Sequence, residues 1–473
     1  MVEMMNDWND TIVAISTPPG RGGIGIVRLS GPRAKQIAES LVRLSLPLEP
    51  GRARFAEVLD VDSAIVLDQA VVTYFAGPRS YTGEDVVEIA AHGAPVLLDA
   101  LLRRCVSAGA RLAQPGEFTQ RAFLAGRIDL TQAEAVHDLI QSTTLEQART
   151  AARQMGGGLS RQVKPVKERL IGLIAGLEAG IDFAEDDLEV MGSETILAAM
   201  REIEAPLTAM EESFAYGRIL REGFKLAIVG RPNVGKSSLF NKLIRRDRAI
   251  VTAQAGTTRD PVAEQLDLAG IPVELIDTAG LRLTQDEAEA YGIAKSREAM
   301  AEAEIVLLVI AADKELHEED RAAIEESLGR RLVVVLNKID LVEDTEQGRR
   351  AAAEDSLNEY LERTQERSRP VVIATSAITG DGLDRLRETI VVALRDAAPT
   401  ADSAPVTNLR QHQAITAAVA AMSAAERGLD AGVPHEMVLL DLHEALSALD
   451  ELTGTTHVDE ILGVIFAKFC IGK

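Results

Sequence analysis

Residues 230–238 read Gly-Arg-Pro-Asn-Val-Gly-Lys-Ser-Ser, and the apolar run Phe224 to Val229 leads into them. Gly230 and Gly235 let the backbone turn tightly enough to aim N–H groups at phosphate oxygens, and a helix beginning near Lys236 adds its positive end. The chemistry is phosphate binding by Asn233, Val234, Gly235, Lys236, Ser237 and Ser238, with Lys236 reaching the β- and γ-phosphates and the Ser237 hydroxyl ligating Mg²⁺. Asp277-Thr278-Ala279-Gly280 and Asn337-Lys338-Ile339-Asp340 follow at the intervals a guanine-nucleotide site requires. Asp277 holds the ion through a water, and the Gly280 N–H faces the γ-phosphate. The Asp340 carboxylate accepts from guanine N1–H and N2–H₂, with Asn337 on the other edge of the base. Adenine would leave that carboxylate unpaired, at a cost of several kcal/mol. Thr375-Ser376-Ala377 supplies the last base-contacting loop.

Hydrolysis of the bound GTP needs an attacking water held in line, and the residue after Asp277-Thr278-Ala279-Gly280 is Leu281 rather than a water-orienting Gln. Another device is required. Residues 249–260 form a switch segment in which Thr258 is the Mg²⁺ ligand and γ-phosphate sensor. The Asn233 amide oxygen, with backbone carbonyls of Thr252, Gln254 and Thr257, can hold a monovalent cation and stabilise transition-state charge.

These loops need a strand-and-helix scaffold, and the runs Val273 to Ile276 and Val371 to Ala374 are its strands. At 473 residues the chain holds about three domains. With 46% hydrophobic residues and one Trp, the composition is that of a helix-rich protein. A net charge of −23 argues against a large basic platform gripping nucleic acid unaided. Cys105 and Cys470 form no disulfide framework. No run approaches a membrane span and no signal pattern opens the chain, so a soluble cytoplasmic protein is expected.

Upstream of the G domain, residues 10–118 alternate short apolar runs with Gly and Pro, a strand-rich pattern with interleaved helices such as Arg33 to Leu44. From Phe118 to Phe214, and again beyond residue 405, apolar spacings of three and four predict amphipathic helices, with Gly156-Gly157-Gly158 separating two of them. The expected architecture is multidomain. An α+β N-terminal domain (1–120) precedes an all-α helical domain (121–215 and 386–473), which carries an inserted α/β P-loop, Ras-like G domain (216–385).

Three stretches outside the G domain carry a resemblance covering essentially the whole chain. They are the opening Thr11-Ile12-Val13-Ala14 with Thr17 to Gly31, the segments Ser80-Tyr81-Thr82-Gly83-Glu84-Asp85 through Gly93 and Pro115-Gly116-Glu117-Phe118-Thr119 through Leu124, and the terminus Phe469-Cys470-Ile471-Gly472-Lys473. On these the chain resembles the MnmE (TrmE) family of tRNA-modification GTPases. The resemblance implies a homodimer joined through its N-terminal domains, acting with the FAD-containing MnmG in a heterotetrameric complex. Together they would place a carboxymethylaminomethyl-type group on C5 of the wobble uridine of certain tRNAs. A tetrahydrofolate derivative, 5,10-methylene or 5-formyl, would supply the one-carbon unit, held by Arg28, Glu88, Arg127 and Lys473. Arg127 stands where relatives often carry Lys, which keeps the charge and changes the donor geometry. The resemblance also makes Glu289 the acidic residue acting on the attacking water, and K⁺ with G-domain dimerisation the requirement for fast turnover.

Cys470 admits two readings, a buried thiol among Ile465, Phe466, Phe469 and Ile471, or a reactive one on the tail beside the folate site. Two other functions compete. A ribosome-assembly switch related to Era or Der shares the G-domain pattern, but residues 396–473 lack the basic Gly-x-x-Gly loop of a KH fold. A folate-binding sensor regulating its partner also fits, because no residue is a clear catalyst of carbon transfer.

Overall fold

A computed structural model describes residues 9–60, 65–182, 192–247, 263–277, 303–327, 330–342, 354, 356–357, 359–360, 370–395, 405–454, 465–466 and 469–472. The chain divides into two compact units. One comprises Met1–His137, Gln154–Ile174 and Leu439–Lys473, the other Asp138–Arg153 and Ala175–Val438.

The first unit is built on a seven-stranded sheet. Its opening elements are β1 (Ile12–Ile15), β2 (Gly22–Ser30), α1 (Ala34–Leu41), β3 (Val42–Leu44) and β4 (Ala53–Leu59). Then come β5 (Val66–Phe75), β6 (Val86–Gly93), α2 (Pro95–Ser107), β7 (Arg111–Leu112) and α3 (Glu117–Leu124). The strand order is β3-β4-β5-β6-β2-β1-β7, antiparallel except for the β1–β7 pair. Alternation decides the faces. Val27, Leu29, Val72, Tyr74, Val87 and Ile89 share a core with Ile37 and Leu41 of α1 and Leu98 and Leu101 of α2. β1 is covered on both sides, Val13 in that core and Ile12 and Ala14 against Ala113 and Phe118. The helix expected over Arg33 to Leu44 stops at Leu41, because Val42 turns extended (φ −130°) and pairs with Val58. A β-branched side chain fits that pleated position better than a helix end.

Helices α4 (Leu130–Gln141), α5 (Leu145–Met155), α6 (Gly158–Asp182) and α7 (Ser193–Glu222) follow. Gly156 and Gly157 separate α5 from α6, Gly157 with a φ of 79°. After Gly223 come β8 (Phe224–Val229), α8 (Lys236–Asp247), β9 (Ala263–Leu268), β10 (Ile271–Asp277) and β11 (Ile305–Ala311). Next are α9 (Glu318–Ser327), β12 (Arg331–Asn337), β13 (Val371–Ala374), α10 (Leu383–Arg395), α11 (Leu409–Asp430) and α12 (His435–Thr453).

The six-stranded sheet of the second unit runs β13-β12-β11-β8-β10-β9 and is parallel except at β9. Its central strands are apolar throughout because both faces are buried. Leu226, Ile228, Leu307, Val309, Val333 and Val335 point into one core, and Ala227, Val229, Val306, Leu308, Val334 and Leu336 into the other. On α7, Ile196, Met200, Ile203, Leu207 and Met210 repeat at intervals of four and three and bury one stripe. Cross-links from Thr416 Oγ1 to Glu211 (2.6 Å) and Ser423 Oγ to Glu204 (2.5 Å) tie α11 to it. No described helix is long and apolar enough to cross a membrane.

Candidate nucleotide site and N-terminal ion-pair site

β8 lies between β11 and β10, so the chain leaves its carboxyl end where strand order reverses, the usual place for a ligand in such a sheet. The loop there is backbone-built. A Cβ on Gly230 (φ 140°) would stand 2.3 Å from Val309 O, and one on Gly235 (φ 99°) would stand 2.2 Å from Asn337 Nδ2. Asn233 itself holds a left-handed φ of 64°, a conformation that Asn tolerates better than most residues. Lys236 Nζ folds over the loop, donating to Gly230 O (2.6 Å) and Arg231 O (2.8 Å). Val234 is buried, while Ser237 and Ser238 are exposed in the first turn of α8. Arg231 braces the loop from below by donating to buried Asp320 (2.9 Å), whose other oxygen accepts the His317 N–H (3.1 Å).

β10 ends on Asp277, in register with Ile228 and two residues short of Gly230. Ser237, in the first turn of α8, carries a hard-oxygen hydroxyl of the kind that suits Mg²⁺ alongside phosphate oxygens. Among the described residues there is no cluster of three or more His, Cys, Asp or Glu able to hold a metal.

The base-side loops are held by Asn337 and Ser376. Asn337 is buried, with Nδ2 donating to Val234 O (2.9 Å) and Oδ1 accepting from the Ala377 N–H (3.0 Å) and Thr375 Oγ1 (3.4 Å). Its amide therefore stitches the phosphate loop to the Thr375-Ser376-Ala377 loop, and only the second Nδ2 hydrogen can face a base. Lys338 adopts a left-handed φ of 68°, which leads the chain from β12 to the exposed Asp340. Ser376 Oγ donates to Asp340 Oδ1 (2.5 Å) and accepts from the Ile378 and Thr379 N–H groups. Thr252, Gln254, Thr257, Thr258, Thr278, Ala279, Gly280 and Glu289 lie outside the described residues.

In the first unit, Arg28 and Glu88 are direct cross-strand partners on β2 and β6. The guanidinium donates from Nε (2.9 Å) and Nη2 (2.8 Å) to Glu88 Oε1, and from Nη1 to Gly472 O (3.2 Å). It also stands over the Phe118 ring, 5.7 Å from the centroid. The chain's end is thus part of this site. Ser16 Oγ donates to the same Gly472 carbonyl (3.0 Å), Ile471 bridges Pro115, and the Gly116 N–H reaches Cys470 O (3.4 Å). Gly472 takes a φ of 99° where a Cβ would stand 2.5 Å from Ile15 O. The buried reading of Cys470 is corrected: Phe466 and Phe469 are buried, but Cys470 and Ile471 are exposed. The phenylalanines are the ones that fill the space against Phe123, Leu130 and Ala133. Arg127 is exposed after α3, its stem over Gly83, and Lys473 lies outside the described residues.

Behind this pair lies an ion network that spacing alone did not reveal. Arg121, 2% exposed, donates to Asp10 Oδ1 (2.7 Å), Glu117 Oε1 (2.9 Å) and both oxygens of Glu84 (3.2 and 3.1 Å). Arg111 adds a fork on Glu117 (2.5 and 3.0 Å). Burial pushes the Glu117 carboxyl up, but Arg111, the Gln114 N–H and Arg121 outweigh it and hold its pKa below the ordinary value. Asp10 is likewise held low by Arg111 and Arg121 against its burial. Glu84 also accepts from Ser30 Oγ (2.7 Å). Burial pushes the Tyr81 hydroxyl up, with Thr119 and Arg28 offsetting part of it. The motif residues Glu84, Glu117 and Arg121 are therefore the frame that orders the loops around Arg28 and Glu88. Cys105 is buried and its thiol is pushed up to about 12.

Fold and site together define a P-loop guanine-nucleotide hydrolase joined to helices and an α+β domain. Two family models match: "GTP-binding protein TrmE N-terminus" over residues 11–127 and "MnmE helical domain" over residues 130–470. The chain is 53% identical over 469 residues to the tRNA modification GTPase MnmE of Koribacter versatilis, covering 98% of this chain and 99% of that protein. It is 42% identical to MnmE of Roseiflexus castenholzii, over 98% of this chain and 100% of that one. The chain belongs to the MnmE family of tRNA modification GTPases.

Proposed function

We propose that this chain, as a homodimer working with an FAD-containing MnmG partner in a heterotetrameric complex, couples GTP hydrolysis to installing a carboxymethylaminomethyl-type group at C5 of the wobble uridine of certain tRNAs. A tetrahydrofolate derivative, 5,10-methylene or 5-formyl, supplies the one-carbon unit when bound. Arg28, Glu88, Arg127 and Lys473 hold it. The observation that supports this reading best is the Cys470-Ile471-Gly472 tail bonded beside the Arg28–Glu88 pair. A ligand offering N–H groups to Glu88 and a carboxylate to a cation finds both partners at one sheet position, already oriented by each other. The exposed Cys470 thiol stands on that tail, two residues before the bonded Gly472 carbonyl.

At the other site, Lys236 leaves its two loop carbonyls for the β- and γ-phosphates of GTP, and Ser237 and Thr258 hold Mg²⁺, which neutralises charge there. Asn233 with the carbonyls of Thr252, Gln254 and Thr257 holds K⁺ against the transition-state charge, and Glu289 orients the attacking water. Asp340, fixed by Ser376, selects guanine.

Mass spectrometry of tRNA nucleosides from cells lacking this protein tests the whole. Loss of the C5-modified wobble uridine, restored by wild type and not by Lys236→Ala, is the expected result. Unchanged nucleosides in the deletion strain would overturn the reading and return the ribosome-assembly switch to consideration.

A further inference from the structure

Among the described residues, three non-glycines hold a positive φ: Asn233, Lys338 and Ala269. The first two belong to the nucleotide loops. Ala269 (φ 52°), followed by Gly270 (φ 91°), makes the tight turn between β9 and β10. Such a turn with two positive φ values favours Asn-Gly or Gly-Gly, and Ala at its first position is strained. Strain of this kind persists only where surroundings hold it, and it clusters at functional elements. Asp267 Oδ1 accepts the Gly270 N–H (2.6 Å) from within the hairpin. From outside, the buried Thr144 donates its Oγ1 hydrogen to Gly270 O (2.7 Å), and a Cβ on Gly270 would stand 2.8 Å from Glu146 Cβ.

Thr144 has a second task. Its Oγ1 accepts the Gln147 N–H (3.2 Å) while Gln147 Oε1 accepts the Thr144 N–H (3.0 Å), a reciprocal capping box at the start of α5. Gln147 Nε2 then donates to Arg221 O (3.0 Å), and Arg221 Nε to Asp138 (2.8 Å). Residues 138–147 therefore bond to two places that lead into the six-stranded sheet. One is the last turn of α7, which feeds β8 and the phosphate loop. The other is the turn of a hairpin whose second strand finishes on Asp277, beside the strand that leads into the phosphate loop. Six residue pairs make that hairpin a stiff lever.

We propose that Thr144 is a coupling residue: through its bond to Gly270 the nucleotide state of the G domain, acting on the β9–β10 hairpin, sets the position of α5 and so the tRNA-modification step. Moving the turn alone would strand the buried Thr144 hydroxyl and leave the Gly270 carbonyl without its donor, so turn and helix start move together. Two variants separate coupling from folding. Thr144→Ser keeps both bonds. Thr144→Asp keeps the capping acceptor but replaces the donor with a carboxylate facing Gly270 O.

The test is amide hydrogen exchange over residues 138–155 in the full chain, with GDP and with a non-hydrolysable GTP analogue. Wild type and Thr144→Ser are expected to exchange differently in the two nucleotides. Thr144→Asp is expected to lose that difference while hydrolysing GTP at the wild-type rate, with tRNA modification falling about fivefold or more. Identical exchange in both nucleotides for wild type overturns the proposal, as does a Thr144→Asp variant that keeps the difference. Loss of hydrolysis in Thr144→Asp also overturns it, by placing Thr144 in the hydrolytic machinery. The modification arm rests on the function proposed above. The exchange arm needs no tRNA, so failure of that function leaves it standing.

Discussion

The six-stranded sheet frames its candidate nucleotide site with backbone, through Gly230, Asn233, Gly235 and Lys338 held in unusual conformations at strand ends. The seven-stranded sheet offers side chains instead, Arg28 and Glu88 on adjacent strands with the chain terminus folded against them. A backbone site needs short contiguous motifs, because each conformation is set by the residue that adopts it. A side-chain site needs a frame, because long charged groups must be held by neighbours drawn from anywhere in the chain. If that contrast is right, the two sites should break in different ways.

The largest effect is expected in the frame. Arg121→Met removes a buried guanidinium, strips Glu84 of its cation and leaves Glu117 with Arg111 alone, a loss of about 3–5 kcal/mol. Thermal melting should show the drop, whereas Arg103→Met, at a 72% exposed ion pair, should barely move it. Equal shifts for the two would mean the network is not a frame.

The backbone site should fail by strain and crowding. Gly235→Ala must hold a φ of 99° and push against Asn337 Nδ2. A cost of about 1–3 kcal/mol is expected, or roughly 5- to 150-fold in the Kd for GTP. Unchanged GTP affinity would show that the loop can relax, and a change in melting as large as that of Arg121→Met would erase the distinction between the two sites.

Acid sharpens the same contrast. The folded pKa values of Asp10 and Glu117 lie below their ordinary values of 3.8 and 4.5. Their contribution to stability is therefore complete above the ordinary carboxylate range and is lost as pH falls through the folded values. Melting followed from pH 7 down to about 3 should show a loss that Glu117→Gln blunts, since Gln cannot be protonated there. An acid limb of equal steepness in the variant would remove Glu117 from the account.

What could be read in the sequence follows this division. The nucleotide loops, the alternating strands of the first sheet and the continuous apolar strands of the second are local signals, and the structure brings Val234, Asn337 and Ala377 together as one hydrogen-bonded unit. Arg28 and Glu88 are 60 residues apart, and Arg28 and Gly472 are 444 apart. Alternation says which face each residue takes but not which residues stand opposite, because register is a tertiary property. Glu84, Glu117 and Arg121 were visible only as parts of a resemblance, and nothing in their spacing shows one guanidinium serving three carboxylates. The helix end at Leu41 and the exposure of Cys470 were also decided by packing. Thr144 had a local signal, Thr-x-x-Gln ahead of an apolar-periodic helix, but its bond to Gly270 did not.

The smallest effect tests where the contrast blurs, at Asp340, a side chain working within a backbone site. Ser376 Oγ donates to its carboxylate, and two backbone N–H groups fix that hydroxyl in turn. The bond orients an exposed carboxylate rather than supporting the fold, so Ser376→Ala should leave melting unchanged. It should weaken guanine recognition by about 0.5–1.5 kcal/mol. Competition of GTP against ATP, read by nucleotide affinity, is the measurement. Lower preference for GTP with intact stability would make Ser376 a positioning residue for Asp340. Unchanged preference would mean that Asp340 finds its orientation from the Lys338 turn alone, whose left-handed backbone already directs residues 339–341.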